Sequence, residues 1–485
     1  MKHIILPLAS LVLSFVSLAA DDPKGVQAPA DDPKGVQASI KKPNVIVFFI
    51  DDLGWADLGC YGSTFHETPH IDKLAQNGVR YTQAYSAHAV CSPTRAAMMT
   101  GKAPQRVGIT NWINQPSNKT LPKEETTIAE AFKAAGYQTG YTGKWHLGEK
   151  DDQLPTSHGF TWMKATNRAG QPASYFYPFS KVSKRGTYWD VPDLSEGKKG
   201  DYLTDALTDQ ALHFIDANQD RPFFLQLAHY AVHAPIQAPL ELVKKYRQKR
   251  EKLYGDTPTP RIPDRYNTVS RGRQDHAAYA AMTENLDMNI GRVLDHLEKR
   301  GLTSNTIVVF TSDNGGYCHL ISNPGATCNL PLRSGKGWNY EGGIRIPTII
   351  SWPGKITPRS SDTPCITMDL FPTLLELTGQ ALQPKQHLDG HSLASDLNTR
   401  PDDTLKSRAL YWTYPHGHGS GHRPSHAIRK DNWKLIHFEK GKTHELYNLA
   451  KDLGEKTDLA EKFPDKVKAL DKELNEWINN TTPRD

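Results

Sequence analysis

Two stretches of the chain place oxygen-rich side chains directly after strand-like apolar runs. Asp51-Asp52-Leu53-Gly54 follows Asn44-Val45-Ile46-Val47-Phe48-Phe49-Ile50, and Ser312-Asp313-Asn314-Gly315-Gly316 follows Thr306-Ile307-Val308-Val309-Phe310. Adjacent carboxylates at a buried strand end need a compensating cation. Oxygen donors beside glycines that allow close backbone approach suit a hard divalent ion. Asp and Asn also begin turns after strands, so either pair alone reads as a turn; two pairs on potentially neighbouring strands favour a metal site. Cys91-Ser92-Pro93-Thr94-Arg95 opens a helical stretch. A helix start favours anions, and Arg95 lies one turn along on the same face. In Lys144-Trp145-His146, alternate residues of a strand share a face, which predicts Lys144 and His146 at one sheet edge.

Such residues need a scaffold that brings strand ends together. Apolar runs at 44–50, 223–228, 306–310 and 344–350 alternate with helical patterns at Ile128–Ala135, Tyr202–Ala217 and Ala277–Arg300. That alternation predicts an α/β fold, a large mixed, mostly parallel sheet sandwiched by helices, with ligands at the carboxyl ends of the strands. After about Ser407 the pattern changes to short strands. These are Ala409–Thr413, a hairpin of His426–Lys430 and Trp433–Phe438 around Asp431-Asn432, and Glu445–Tyr447. A helix then carries Val467, Leu470, Leu474 and Trp477 on one face. This predicts a smaller C-terminal α+β subdomain.

The chain has 485 residues with 23% charged, which excludes a multi-span membrane protein, and its 38% hydrophobic content excludes a mostly disordered one. The formal charge of +5 comes without a Lys/Arg block, so nucleic acid is not an expected partner, whereas an anionic substrate is. Met1-Lys2-His3, the apolar run Ile4–Leu18 and Ala19-Ala20 form the three parts of a secretory signal peptide, too short for a span of ~20 residues. Export to the periplasm or beyond is therefore expected, with cleavage after Ala19 or Ala20. The tandem DDPKGVQAPA and DDPKGVQASI of residues 21–40 cannot build a core and read as a flexible leader. The expected organisation is a signal peptide 1–20, leader 21–42, catalytic domain 43–406 and C-terminal subdomain 407–485. Export makes disulfides possible, and five Cys leave at least one unpaired. Cys318 and Cys328, which close a short loop, are the expected bridge; Cys60 and Cys365 are expected as buried thiols.

Cys91-Ser92-Pro93-Thr94-Arg95 resembles the Cys-x-Pro-Ser/Thr-Arg signature of the type I sulfatases of the alkaline phosphatase superfamily. The second family signature is matched by Gly136-Tyr137-Gln138-Thr139-Gly140-Tyr141-Thr142-Gly143-Lys144-Trp145-His146-Leu147-Gly148. His233-Ala234-Pro235, Asp313-Asn314, the Lys336 loop Leu332–Gly343 and the tail segments Trp433-Lys434-Leu435 and Glu445–Leu449 match in order, so the resemblance spans Asn44 to Trp477.

The resemblance implies that a maturation enzyme, a partner of the chain, oxidises Cys91 to Cα-formylglycine (3-oxoalanine). It implies that Asp51, Asp52, Asp313 and Asn314 bind Ca²⁺, joined by the nucleophile oxygen of matured residue 91. The aldehyde hydrate would attack sulfur, assisted by Asp313. Lys336 and His233 would serve the leaving oxygen, His146 would deprotonate the second hydroxyl, and Arg95 and Lys144 would hold the diol and sulfate oxygens. The implied substrate is a sulfated carbohydrate, of galactose or N-acetylgalactosamine type as in secreted bacterial polysaccharide sulfatases. The loop 167–190, rich in Tyr, Phe and Trp, is expected to frame the sugar. His416, His418, His422 and Arg423 resemble a segment that closes over substrate in polysaccharide sulfatases; a mobile His/Gly surface loop or adventitious metal binder is the other reading of that stretch. Two rival functions remain: a phosphodiesterase or phosphonate hydrolase of the same superfamily, and a catalytically silent glycan-binding member. The sequence carries no signal for an oligomeric state.

Overall fold

The computed structural model describes residues 42–482, apart from 115–116, 168, 183–187, 322–323 and 401. The expected signal peptide and all but the last residue of the expected leader lie outside the described residues.

The all-apolar run after Pro43 forms the middle of the sheet. Strand β1 (Asn44–Ile50) is buried along its whole length, as a strand covered on both faces must be. The other strands of this sheet are β2 (Val79–Tyr81), β3 (Gln138–Gly143), β4 (Trp162–Lys164), β5 (Phe223–Ala228), β6 (Thr306–Ser312), β7 (Thr348–Ser351) and β8 (Arg359–Ser361). Their order across the sheet is β8-β2-β7-β6-β1-β5-β3-β4. Only β7 is antiparallel to the rest.

Alternate residues of β1 supply two cores. Val45, Val47 and Phe49 pack with Phe132, Phe224 and Leu374 on one face. That face is covered by α1 (Cys91–Thr100), α2 (Ile128–Ala134) and α5 (Leu370–Leu377). Ile46, Phe48 and Ile50 pack with Leu207, Ile215, Leu286 and Ile290 on the other, under α3 (Leu203–Ala217) and α4 (Ala277–Lys299). Each large apolar side chain so buried contributes about 1.5–3 kcal/mol.

Register decides which loops meet. Ile50 lies opposite Ser312 in the parallel β1–β6 pair, so the next residues, Asp51 and Asp313, are neighbours. Gly143 lies opposite Ala228 in β3–β5, so the chains carrying Lys144 and His233 leave the same edge.

The expected strand at 344–350 begins only at Thr348, and Glu341–Ile344 is a short helix instead. Pro347 offers no N–H to a ladder, and the Gly342-Gly343 backbone runs against residues 333–338, where a helical turn fits and a strand would not.

The C-terminal sheet is antiparallel, in the order β9 (Leu410–Tyr414), β10 (Ser425–Lys430), β11 (Trp433–Phe438), β12 (Thr443–Asn448). One face, with Trp412, Tyr414, Ile436 and Phe438, packs on Tyr85, Trp338 and Tyr340 of the larger part. The other, with Ile428, Leu435 and Leu446, is covered by Leu470 and Leu474 of α6 (Pro464–Thr481). No helix among the described residues is long and apolar enough to cross a membrane.

Candidate active site

The loops leaving the carboxyl ends of β1, β3, β5 and β6 meet the start of α1 around a cavity of about 540 Å³. Its wall carries Asp52, Cys91, His146, His233, Lys336 and His418. Behind that wall, and buried, stand Asp51, Arg95, Lys144, Asp313 and Asn314. The structure thus brings together every catalytic and metal candidate read from the sequence, drawn from positions nearly 290 residues apart (Asp51 to Lys336).

The acidic cluster is tightly wired. Lys144 Nζ lies 2.7 Å from both carboxylate oxygens of Asp51. Lys336 Nζ lies 2.6 Å from Asp52 Oδ1, and the same oxygen accepts from Asn314 Nδ2 at 2.8 Å. Arg95 donates through Nε and Nη2 to Asp313 Oδ2, at 2.9 and 2.7 Å, and through Nη1 to Lys144 O at 2.8 Å. Burial and the neighbouring Asp313 and Asp52 charges push Asp51 well above the usual carboxylate range despite Lys144. For Asp52, burial is outweighed by the Lys336 and Lys144 charges, which hold the group ionised. Arg95 and Lys144 likewise pull Asp313 down against burial.

These residues fit a hard cation. Asn314 Oδ1 is buried with no hydrogen-bond partner among the described residues. It stands beside three buried carboxylates, an oxygen-only set of the kind that suits Ca²⁺ or Mg²⁺ better than zinc. Asp51, Asp52 and His233 also offer one ligand atom each within 4.8 Å of one another.

Lys144 and His146 reach the site by a different route from the alternation expected. β3 ends at Gly143, whose φ of 99° suits glycine alone, and His146 itself has φ 59°. Both residues lie beyond the strand, so Lys144 turns inward to Asp51 while His146 turns to Cys91. Asp52 (φ 60°) and Ser334 (φ 62°), two residues before Lys336, are held in the same left-handed region. Such conformations cost roughly 1–3 kcal/mol each for non-glycine residues.

Cys91 Sγ lies 3.2 Å from His146 Nδ1, and His146 Nε2 lies 2.9 Å from Ile113 O. A carbonyl can only accept, so Nε2 carries the proton and Nδ1 presents its lone pair to residue 91. Burial and the Lys144, Arg95 and Lys336 charges keep His146 neutral. His233 is arranged similarly: Nδ1 donates to Ala234 O at 2.9 Å, Nε2 faces Asp52 Oδ2 at 3.6 Å, and burial pushes the group down to about 3. Lys336 is kept protonated by Asp52, with Cys91 and Asp51 adding, against burial.

The His/Gly stretch divides. His418 reaches the cavity wall, edge-on to Trp112 with centroids 5.1 Å apart. Its Nδ1 accepts from Ser420 N at 3.0 Å, which leaves Nε2 as the donor, and burial lowers it to about 3. His422 is fully buried, stacked on Tyr414, and His416 Nε2 lies 3.0 Å from Thr110 Oγ1. Arg423 is exposed. His416, His422 and Arg423 do not line the cavity.

Cys318 and Cys328 are both free thiols. The expected bridge is absent because the Cys318 thiol is turned toward the Lys336 loop, where it donates to Ser334 O at 3.2 Å. Cys365 is buried as expected, whereas Cys60 is half-buried.

Sequence reading also passed over several wall residues. Trp112, Asn114, Tyr279 and Tyr317 line the cavity, and Gly170 closes on the His146 ring, where a Cβ would lie 2.3 Å from Cε1. Tyr317, three residues after Asn314, was within reach of a spacing argument; Trp112 and Gly170 carry no such signal. Gln171 and Trp189 of the aromatic 167–190 loop do line the cavity.

Residues 43–380 match the sulfatase family, and residues 334–482 match a family described as N-sulphoglucosamine sulphohydrolase, C-terminal. A sulfatase of Formosa agariphila is 32% identical, over 91% of this chain and 90% of that protein. The N-acetylgalactosamine-6-sulfatase of Canis lupus familiaris is 32% identical, over 77% of this chain and 72% of its own length. The crystal structure of Ps i-CgsB in complex with k-i-k-neocarrahexaose is similar with a TM-score of 0.75 and 29% identity, covering 90% of this chain and 93% of that one. Fold and site together therefore define a hydrolase of sulfuric esters. The chain belongs to the sulfatase family.

Proposed function

We propose that the chain is an exported, formylglycine-dependent and calcium-assisted sulfatase acting on a galactose- or N-acetylgalactosamine-type sulfated glycan. The observation that carries this reading is the placement of Cys91, at the first turn of α1, 3.2 Å from a neutral His146 and on the wall that also exposes Asp52 and Lys336. The similarity to a structure solved with a neocarrahexaose, and to an N-acetylgalactosamine-6-sulfatase, supports the substrate class. Aromatic wall residues Trp112, Trp189, Tyr279 and Tyr317 suit sugar faces.

Asp51, Asp52, Asp313 and Asn314 would hold the calcium ion, which when bound supplies positive charge opposite the sulfuryl oxygens. Formylglycine at position 91 supplies an aldehyde hydrate, a nucleophile that can release sulfate without water attacking sulfur. Arg95 fixes Asp313 and, with Lys144, concentrates charge where sulfuryl oxygens gather. His146 Nδ1 takes a proton from the group at position 91. Lys336, held protonated, serves the leaving oxygen, and His233, on the same cavity wall with its Nδ1 proton committed to Ala234 O, presents the free Nε2 lone pair beside it. Export rests on Met1–Ala20, and N-terminal sequencing of the secreted protein should begin after Ala19 or Ala20.

The test combines two measurements on protein made with the maturation enzyme. Mass spectrometry of the peptide carrying Cys91 should show the formylglycine mass change. A panel of defined sulfated oligosaccharides should release inorganic sulfate, and Cys91→Ala should lower that release by roughly 10⁴-fold or more. Wild-type turnover by Cys91→Ala would overturn the mechanism. Preferential turnover of phosphate diesters, or of no ester at all, would favour the diesterase or the silent binding protein.

A further inference from the structure

The C-terminal sheet carries a second cluster of ligand-type side chains that the sulfuryl site does not use. On the face beneath α6, Ile428, Leu435 and Leu446 form one cross-strand row, and the row two residues along is His426, His437 and His444. Alternation puts both rows on one face, so the apolar contact with α6 ends in a line of imidazoles. From α6, Asp471 reaches over that line. Its Oδ1 lies 2.9 Å from His437 Nδ1 and 3.0 Å from His444 Nε2, and the two rings are 4.5 Å apart between centroids.

Three details distinguish this from an ordinary surface ion pair. His444 Nε2 is buried with no partner in hydrogen-bonding geometry among the described residues, although a carboxylate oxygen is near. Asp471 Oδ2 accepts from Asn475 Nδ2 at 3.0 Å, which fixes the carboxylate with Oδ1 toward the rings, the kind of outer support that orients metal ligands. His426 stands apart, because its Nδ1 lies 2.6 Å from Thr413 Oγ1 and its Nε2 3.0 Å from Glu439 Oε1.

We propose that His437, His444 and Asp471 form a separate metal site for a first-row divalent transition ion of the zinc class, which ties α6 to the end of the C-terminal sheet. The three ligand atoms lie within 4.8 Å of one another. A tetrahedral ion with bonds of about 2.0–2.1 Å spaces its ligands roughly 3.3 Å apart, so small side-chain rotations suffice. Two imidazoles and one carboxylate select zinc-like ions over calcium, the reverse of the oxygen-only cluster at Asp51, Asp52, Asp313 and Asn314. Three protein ligands leave the fourth position to water. The metal joins a strand pair to a helix more than twenty residues further along the chain (His444 to Asp471), so binding stabilises the folded subdomain.

The test uses the full chain, stripped with chelator and then saturated with calcium so that the oxygen cluster does not compete. Titration with ZnCl2 should show one tight equivalent and a raised Tm, and CoCl2 should give the visible absorption of a low-symmetry site. His444→Ala should lose that equivalent and the Tm rise, with circular dichroism and sulfate release unchanged. Asp471→Asn, which keeps the side-chain shape, should weaken zinc at least tenfold. Absence of tight zinc binding in the wild type overturns the proposal. So does retention of the same equivalent by His444→Ala, which would mark binding by other histidines.

Discussion

Two clusters of buried charge sit on either side of the Gly335–Gly343 segment, and they have opposite uses. At the cavity, Lys336 faces Asp52, with side chains 10% and 8% exposed. At the junction with the C-terminal sheet, Lys434 of β11 lies 2.9 Å from Glu341 Oε1 and 2.8 Å from Glu455 Oε1, and all three side chains are fully buried. Arg345 Nη1 and Tyr85 Oη close the other Glu341 oxygen at 3.1 and 3.0 Å, and Glu341 N donates to Glu455 Oε2 at 2.7 Å. Buried charge by itself therefore does not mark an active site. What separates the first cluster is an open face, the Cys91 thiol on the same wall and an acceptor, Asn314 Oδ1, with no hydrogen-bond partner among the described residues. The junction cluster instead locks the C-terminal sheet to the catalytic part.

The sharpest way to break this contrast is to replace each lysine by methionine. Lys336→Met should lower kcat roughly 10²–10³-fold, as loss of a charge-stabilising donor does, with a smaller fall in Tm than Lys434→Met, because Asp52 faces the cavity and still accepts from Asn314 Nδ2. Lys434→Met should cost about 3–5 kcal/mol of stability by leaving Glu455 without its cation and Glu341 with Arg345 alone, while the folded fraction keeps its kcat. Equal effects of the two changes on kcat in sulfate-release assays, or on Tm in calorimetry, would erase the distinction.

A smaller effect is expected from Gly170→Ala. The added methyl meets the His146 ring, which Ile113 O and Cys91 Sγ hold from both sides. Displacing that ring, the base of the proposed mechanism, should lower kcat roughly 10- to 100-fold with the fold intact, readable from kinetics beside a thermal melt.

The junction should also show in pH dependence. Burial pushes Glu455 up from 4.5 to about 7, with Lys434 opposing and Glu341 adding. Between those values the folded chain holds a proton that the unfolded chain has released. Stability from this group is thus complete below about 4.5 and is lost as pH rises through about 7. Glu455→Gln should flatten that part of the Tm-against-pH curve, whereas a variant of the cavity cluster such as Lys336→Met should leave it unchanged.

The smallest effect concerns the thiols. Cys318 and Cys328 are not joined, so reductant should leave Tm unchanged, and Cys318→Ser should cost under about 1 kcal/mol because the hydroxyl can still donate to Ser334 O. A marked fall in Tm with reductant would show that the two thiols pair in the oxidised protein.

Much of the fold was legible because local patterns and tertiary packing agree. β1, β5 and β6 stand where apolar β-branched runs put them, and the hairpin around Asp431, which has φ 53°, matches its turn residues. The 344–350 run misled because Pro347 and the crowding at Gly342-Gly343 override its apolar content. In the site, Asp51-Asp52 and Asp313-Asn314 announced themselves as oxygen-bearing side chains at strand ends. Gly170, Trp112 and the Glu341–Lys434–Glu455 junction did not, since each matters only through a neighbour dozens of residues away.

The order of residues by itself determined which side chains sit at the carboxyl ends of β1 and β6 and at the first turn of α1, because strand and helix periodicity are local properties. Only the tertiary structure decided which of them share a wall. It turned Lys144 and His146 to different partners through left-handed backbone, sent His418 to the cavity wall and buried His422 against Tyr414, and left Cys318 unpaired. Those outcomes depend on strand register and on contacts between distant loops, and no local pattern encodes either.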